Sequence, residues 1–174
     1  LMNRIKLMFI YPIDNKEKKF GGIETIIKEC IRYAPPDFKI ELIGINLKTE
    51  KLKTGKWHKI TFGGRKIEFF PILKVRNPNI RSIVPLILRL TLALLKFRSK
   101  INFKNRIIIL NRLEPSYVLS DIKEKKVLFV HGNIRYFDNK YCESRWRKIR
   151  KLYYFVEPFF IKQMERIFVV SQAG

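Results

Sequence analysis

The chain has 174 residues, 47% of them hydrophobic and 13% aromatic, which suits one domain with a substantial core and excludes a disordered segment. Lys and Arg number 37 against 15 acids, and the net charge of +22 concentrates anionic partners: nucleic acid, lipid headgroups or phosphorylated substrates. Two cysteines, Cys30 and Cys142, argue against a disulfide framework and, with no signal-peptide pattern, for a reducing compartment.

Met2 reads as the native start, with Leu1 as an addition before it. The first strand is expected over residues 5–11 and an amphipathic helix over 23–33, with Gly21-Gly22 between them. One reading of that pair is a turn in which glycine supplies a positive φ. The other is an anion site, because unpaired amides and the helix dipole at a helix N-terminus favour a phosphate. The pair has neither the G-x-G-x-x-G spacing of a dinucleotide fold nor the G-K-S/T ending of a P-loop.

Pro35-Pro36 stops the helix, and a strand follows over 39–45. Strands at 57–62 and 66–70 flank Gly63-Gly64, a two-residue hairpin signal. A helix is expected over 82–97 with Pro85 in its first turn. Its apolar stretch 83–95 is the nearest thing to a membrane span, but it falls short of about 20 residues and Arg89 interrupts it. Next come a strand at 106–110, a short helix opening near Glu114-Pro115, a strand at 127–130, a loop to about 144, a helix over 145–164 and a strand at 167–170. Apolar strands alternating with helices predict an α/β fold: a Rossmann-like, mostly parallel sheet with helices on both faces, spanning 1–174 as one domain.

Such sheets bind ligands at the carboxyl ends of their strands. Three predicted strand ends carry polar residues: Asn111-Arg112-Leu113-Glu114, then His131-Gly132-Asn133 with Arg135 beyond, then Ser171. A parallel sheet gathers these with Gly21-Gly22 at one rim. A histidine there can hydrogen-bond a sugar hydroxyl or a phosphate oxygen, although a lone strand-end histidine is often only structural. His58, inside the hairpin, reads as structural.

With these residues in place the chain resembles the N-terminal half of a GT-B glycosyltransferase of family 4. The matching pieces are Gly21-Gly22-Ile23-Glu24, Val130-His131-Gly132-Asn133 and Arg166-Ile167-Phe168-Val169-Val170-Ser171, in order and over essentially the whole chain. The resemblance implies that Gly21 and Gly22 let a donor diphosphate approach from one side of an interdomain cleft. It implies that His131, the catalytic candidate, contacts the transferring sugar or the acceptor, and that Asn133 and Arg135 shape the acceptor site. Arg112 and Glu114 are acceptor-site candidates on position alone, because Arg112-Leu113-Glu114 departs from the His-rich strand end of many members. It further implies a UDP- or GDP-linked sugar as donor substrate, no cofactor and no metal, retention of anomeric configuration, and a glycan or lipid-linked acceptor. The second, nucleotide-holding domain would lie beyond Gly174, so the chain alone is expected to be inactive.

The basic surplus falls partly on the helix over 145–164. Helical spacing lines up Ile149, Leu152, Tyr153, Val156, Phe159 and Phe160 as a core stripe and leaves Tyr154 and Phe155 beside Trp146, Arg147, Arg150 and Lys151. Those six are the candidates for contact with an anionic membrane, at the cytoplasmic face where lipid-linked acceptors of the family reside. The 82–97 helix is apolar almost all round, so it is either buried or rests on a bilayer. The rivals are a basic nucleic-acid-binding module, against which no RNP, KH, helix-turn-helix or zinc-finger pattern is present, and a Rossmann-like binding domain without enzymatic activity.

Overall fold

A computed structural model describes residues 5–19, 21–80, 82–131 and 150–170. The elements run β1 (Lys6–Asp14), α1 (Gly22–Tyr33), β2 (Lys39–Leu47), β3 (His58–Phe62), β4 (Arg65–Val75), α2 (Leu86–Phe97), β5 (Ile107–Leu110), β6 (Lys126–His131), α3 (Arg150–Ile161) and β7 (Arg166–Val170). They build a seven-stranded sheet in the order β3-β4-β2-β1-β5-β6-β7. Only β3 is antiparallel, paired to β4 through the hairpin at Gly63 and Gly64, whose φ values of 57° and 81° require glycine. The six parallel strands, counted alone, have the order 3-2-1-4-5-6 of a Rossmann-like sheet. The expected fold class is therefore present.

Alternation along each strand splits the core in two. Met8 and Ile10 of β1, with Ile43 and Ile45 of β2 and Ile108 and Leu110 of β5, face α2, and Phe160 and Ile161 of α3 pack on the same side. Phe9, Tyr11 and Ile13, with Leu42, Phe69 and Ile109, face Ile27 and Ile31 of α1. The wholly buried Phe69 and Phe70 sit one on each face, and truncating either to Ala should cost about 3–5 kcal/mol.

Arg65 fixes the turn after α1. Its guanidinium donates to the carbonyls of Ala34, Pro35 and Phe38, the last two at 2.9 and 2.6 Å, and ties the turn after the helix to the hairpin. The same basic residue that looked surplus in the composition is thus structural.

Several details differ from the sequence expectation. β4 does not stop at Phe70 but runs through Pro71 to Val75, because β2 and β4 shift register between Gly44 and Ile45, next to the Gly44–Pro71 pair, where a missing amide is tolerated. α2 starts at Leu86 with Pro85 as its N-cap, rather than including Pro85 in the first turn. α3 ends at Ile161, short of the expected 164, and includes Pro158, whose carbonyl accepts the Lys162 amide at 3.2 Å. Phe159, placed in the core stripe by spacing, is 64% exposed, while its neighbour Phe160 packs inward against Tyr117 with ring centroids 4.2 Å apart.

Candidate functional site

The carboxyl ends of the parallel strands form a rim that opens between β1 and β5. Those strands pair only as far as Ile10 and Leu110. β1 then stays with β2 through Asp14, while β6 runs on beside β7 to His131. The chain reverses its direction of travel across the sheet at this point, and the separating strands leave a crevice there. Alternation carries Tyr11, Asn111 and His131 to the α1 side of it, continuing Phe9, Ile109 and Phe129.

The loop from β1 to α1 is wound around one carboxylate. Asp14, fully buried, accepts the backbone amides of Lys16, Lys18 and Lys19 at 2.9, 3.1 and 2.8 Å. That winding delivers the Lys19 ammonium to Glu24 at 2.5 Å and over the Tyr11 ring, 4.4 Å from its centroid. Glu24 also accepts the Tyr11 hydroxyl. Burial and the Glu24 charge hold the Tyr11 phenol far above its usual range, so it is a hydrogen-bond donor at any physiological pH. Burial pulls the Lys19 ammonium down, although Glu24 opposes the shift.

This geometry gives Gly21 a reason other than a positive φ. Its backbone is extended, with φ 162°, so the turn reading of the pair does not hold at Gly21. A Cβ there would collide with the Glu24 carboxylate, so glycine is what lets that carboxylate fold back over the start of α1. A Cβ on Gly22 would meet nothing within 4 Å. The start of α1 thus carries its own anion, and the favourable dipole interaction expected for a phosphate is supplied by Glu24.

Across the crevice, Asn111 and His131 meet. The His131 Nε2 lies 2.8 Å from the Asn111 Oδ1. Burial and the Arg112 guanidinium push the imidazole below its usual range, against a weaker opposing pull from Glu24, so it is neutral at pH 7. Arg112 lies over the buried carboxylate of Glu114, with Nη2–Oε1 at 2.8 Å and Nε–Oε2 at 3.3 Å. Glu114 is fully buried, so in this pair Arg112 holds the accessible surface and Glu114 anchors it.

The sequence-predicted site residues Gly21, Gly22, Arg112, Glu114 and His131 are therefore gathered at one rim. Asn133, Arg135, Trp146 and Arg147, with Gly132 and Ser171, lie outside the described residues, as does the side chain of Arg150. His58 bonds the Lys53 carbonyl at 2.9 Å within the hairpin region, as a structural histidine would. Tyr11, Asp14 and Lys19 were not anticipated at the site, and Asn111 was placed at the rim without a role. Asn111 had a legible signal, being the first residue past an apolar strand and in phase with Ile107 and Ile109.

Among the described residues, no three His, Cys, Asp or Glu side chains converge to hold a metal ion. Lys19 and Arg112 at the rim are each paired among the described residues, with Glu24 and Glu114. Among the described residues the rim offers a ligand the Arg112 guanidinium, held on Glu114, and three neutral groups: the His131 imidazole, the Asn111 amide and the open backbone at Gly22. No protein-family model, no curated protein and no solved structure matches the chain.

Proposed function

We propose that this domain is the acceptor-side half of a GT-B glycosyltransferase that takes a UDP- or GDP-linked sugar. The observation that carries the reading is the rim at the β1–β5 crevice, where Gly22, Asn111 and His131 present neutral polar groups and the charges are internally paired. Such a surface suits a sugar better than it suits a diphosphate, whose charge must then be held by a second domain. Gly21 admits the Glu24 carboxylate, Gly22 leaves room for the donor, and His131 faces the sugar or the acceptor hydroxyl. On this reading the chain alone performs no transfer, and robust turnover by the purified chain would contradict it.

The direct test is a titration of UDP-glucose and GDP-mannose against the wild-type chain and Gly22→Ala. Weak binding is expected for the better donor, on the order of millimolar, or about −4 kcal/mol. The added methyl meets no protein atom, so a loss of about tenfold in affinity with unchanged thermal stability is expected. Equal affinities for the two chains, or no binding of either sugar, would overturn the reading.

The proposal includes peripheral attachment to an anionic membrane at the cytoplasmic face, with a glycan or lipid-linked acceptor. No helix among the described residues is long and apolar enough to cross a membrane. On the face of the sheet covered by α2 and α3, Leu92 and Leu95 are 66% and 57% exposed, and Phe155 and Phe159 are 83% and 64% exposed. Lys96 follows Leu95, and Lys151 and Lys162 bracket the two phenylalanines along α3. Apolar side chains with cations beside them are what an interfacial helix presents to lipid. Of the six residues anticipated for this contact, Lys151 and Phe155 are exposed and Tyr154 is half-buried. Co-sedimentation with phosphatidylglycerol vesicles should fall at least about fivefold for Leu92→Glu with Phe155→Glu, by loss of buried apolar area. Equal sedimentation of the double variant and wild type would reject this attachment.

A further inference from the structure

The pairing of Asn111 with His131 has a consequence for what the rim can recognise. A carbonyl oxygen can only accept a hydrogen bond, so the ring nitrogen facing Asn111 Oδ1 at 2.8 Å must carry the proton. That fixes the neutral imidazole as its Nε2–H tautomer and leaves Nδ1 with a lone pair. Among the described residues nothing donates to Nδ1. Asn111 itself is 3% exposed, and its Nδ2 is buried without a hydrogen-bond partner. A buried amide N–H without an acceptor is costly, and a ligand acceptor would satisfy it.

We propose that Asn111 is the positioning residue of the rim: it locks His131 in the Nε2–H form so that Nδ1 accepts a hydrogen bond from a ligand hydroxyl. The pair then offers one acceptor, His131 Nδ1, and one donor, Asn111 Nδ2, to a polyhydroxylated neutral ligand. This inference rests on the reading of the rim as a sugar site and makes it more specific. Hydroxyls can serve both groups, one donating to Nδ1 and another accepting from Nδ2. A phosphodiester or diphosphate oxygen that carries no proton accepts only, so it could not serve Nδ1.

The groups facing His131 are Asn111 and Arg112 after β5 and Glu24 on α1. Arg112 and burial both disfavour the imidazolium, and Glu24 favours it less strongly, so the neutral tautomer is the form a ligand meets. The arrangement is therefore a hydroxyl acceptor and not a cationic phosphate clamp. Asn111→Asp keeps the acceptor oxygen and the shape but adds a charge that stabilises the imidazolium. Asn111→Leu keeps the volume and removes the acceptor.

Nitrogen-15 long-range NMR reads tautomer and protonation at each ring nitrogen. The chain has two histidines, so His58→Gln assigns the spectrum. Wild type should show His131 protonated at Nε2 and unprotonated at Nδ1. Asn111→Asp should raise the His131 pKa by at least about one unit, and Asn111→Leu should release the ring into a tautomer mixture. Addition of UDP-glucose should shift Nδ1 toward its hydrogen-bonded value, whereas dimethyl phosphate, an anion with no O–H, should not. A protonated Nδ1 in wild type, or a His131 pKa unmoved by Asn111→Asp, overturns the inference even if sugar binds. An Nε2–H tautomer that responds to dimethyl phosphate and not to UDP-glucose overturns the sugar reading, and with it the assignment of a hydroxyl to Nδ1.

Discussion

The two rims of one sheet treat buried charge in opposite ways. At the amino ends of the strands, Glu41 is 1% exposed and is gripped by the fork of Arg106, with oxygens at 2.5 Å from Nε and 3.0 Å from Nη2. Arg106 spends a further donor on the Lys104 carbonyl at 2.8 Å, and Lys39 reaches Glu68 at 2.9 Å and Glu41 at 3.9 Å. That network is closed on itself. At the carboxyl ends, Glu24, Lys19, Arg112 and Glu114 also pair, but His131 Nδ1 and Asn111 Nδ2 are left over among the described residues. A closed network supports the fold, whereas leftover groups at a crevice are what a ligand can use.

Removing a partner should therefore hurt stability most at the amino-end rim. Arg106→Ala strands a buried carboxylate, and urea denaturation should show a loss of about 3–5 kcal/mol; a loss under 1 kcal/mol would mean that Glu41 finds water or Lys39 instead. At the other rim, Glu24→Ala deprives Lys19 and the Tyr11 hydroxyl of their acceptor, with an expected cost of about 1–3 kcal/mol in the same assay. Gly21→Ala should approach that cost by displacing the same carboxylate.

Acid separates the rims next. The fold holds His131 below the ordinary histidine value, so the unfolded chain takes up its proton first. Its contribution to stability is present above about pH 6.5 and is lost as pH falls through that value. His131→Gln should flatten this part of the pH–stability curve. An unchanged slope would show that the imidazole titrates alike in both states. The smallest stability effect belongs to Gly22→Ala, within about 0.5 kcal/mol, because the site is empty of protein atoms.

Much of the fold was legible because apolar runs such as Ile107–Leu110 and the Gly63-Gly64 turn act locally. The misplaced boundaries came from tertiary partners: Pro71 is carried in β4 by the register shift against β2, and Phe159 points outward because Phe160 takes the contact with Tyr117. The candidate site was legible as a set of strand ends, but its pairings were not. Asp14 sets the loop that brings Lys19 to Glu24, and nothing in the spacing of these residues shows a carboxylate collecting three amides. Gly21 was noticed for the backbone freedom of glycine, while the structure uses it for the room it leaves to Glu24.

The central claim is that the carboxyl-end rim is open to a nucleotide sugar and the amino-end rim is not. Amide chemical-shift mapping of the chain with UDP-glucose and GDP-mannose tests it most directly. The expected result with the better donor is saturable perturbation at Gly22, Asn111, Arg112 and His131, and none at Glu41, Arg106 or Lys39. Perturbation of the amino-end rim, or no saturable response at the crevice with either sugar, would contradict it.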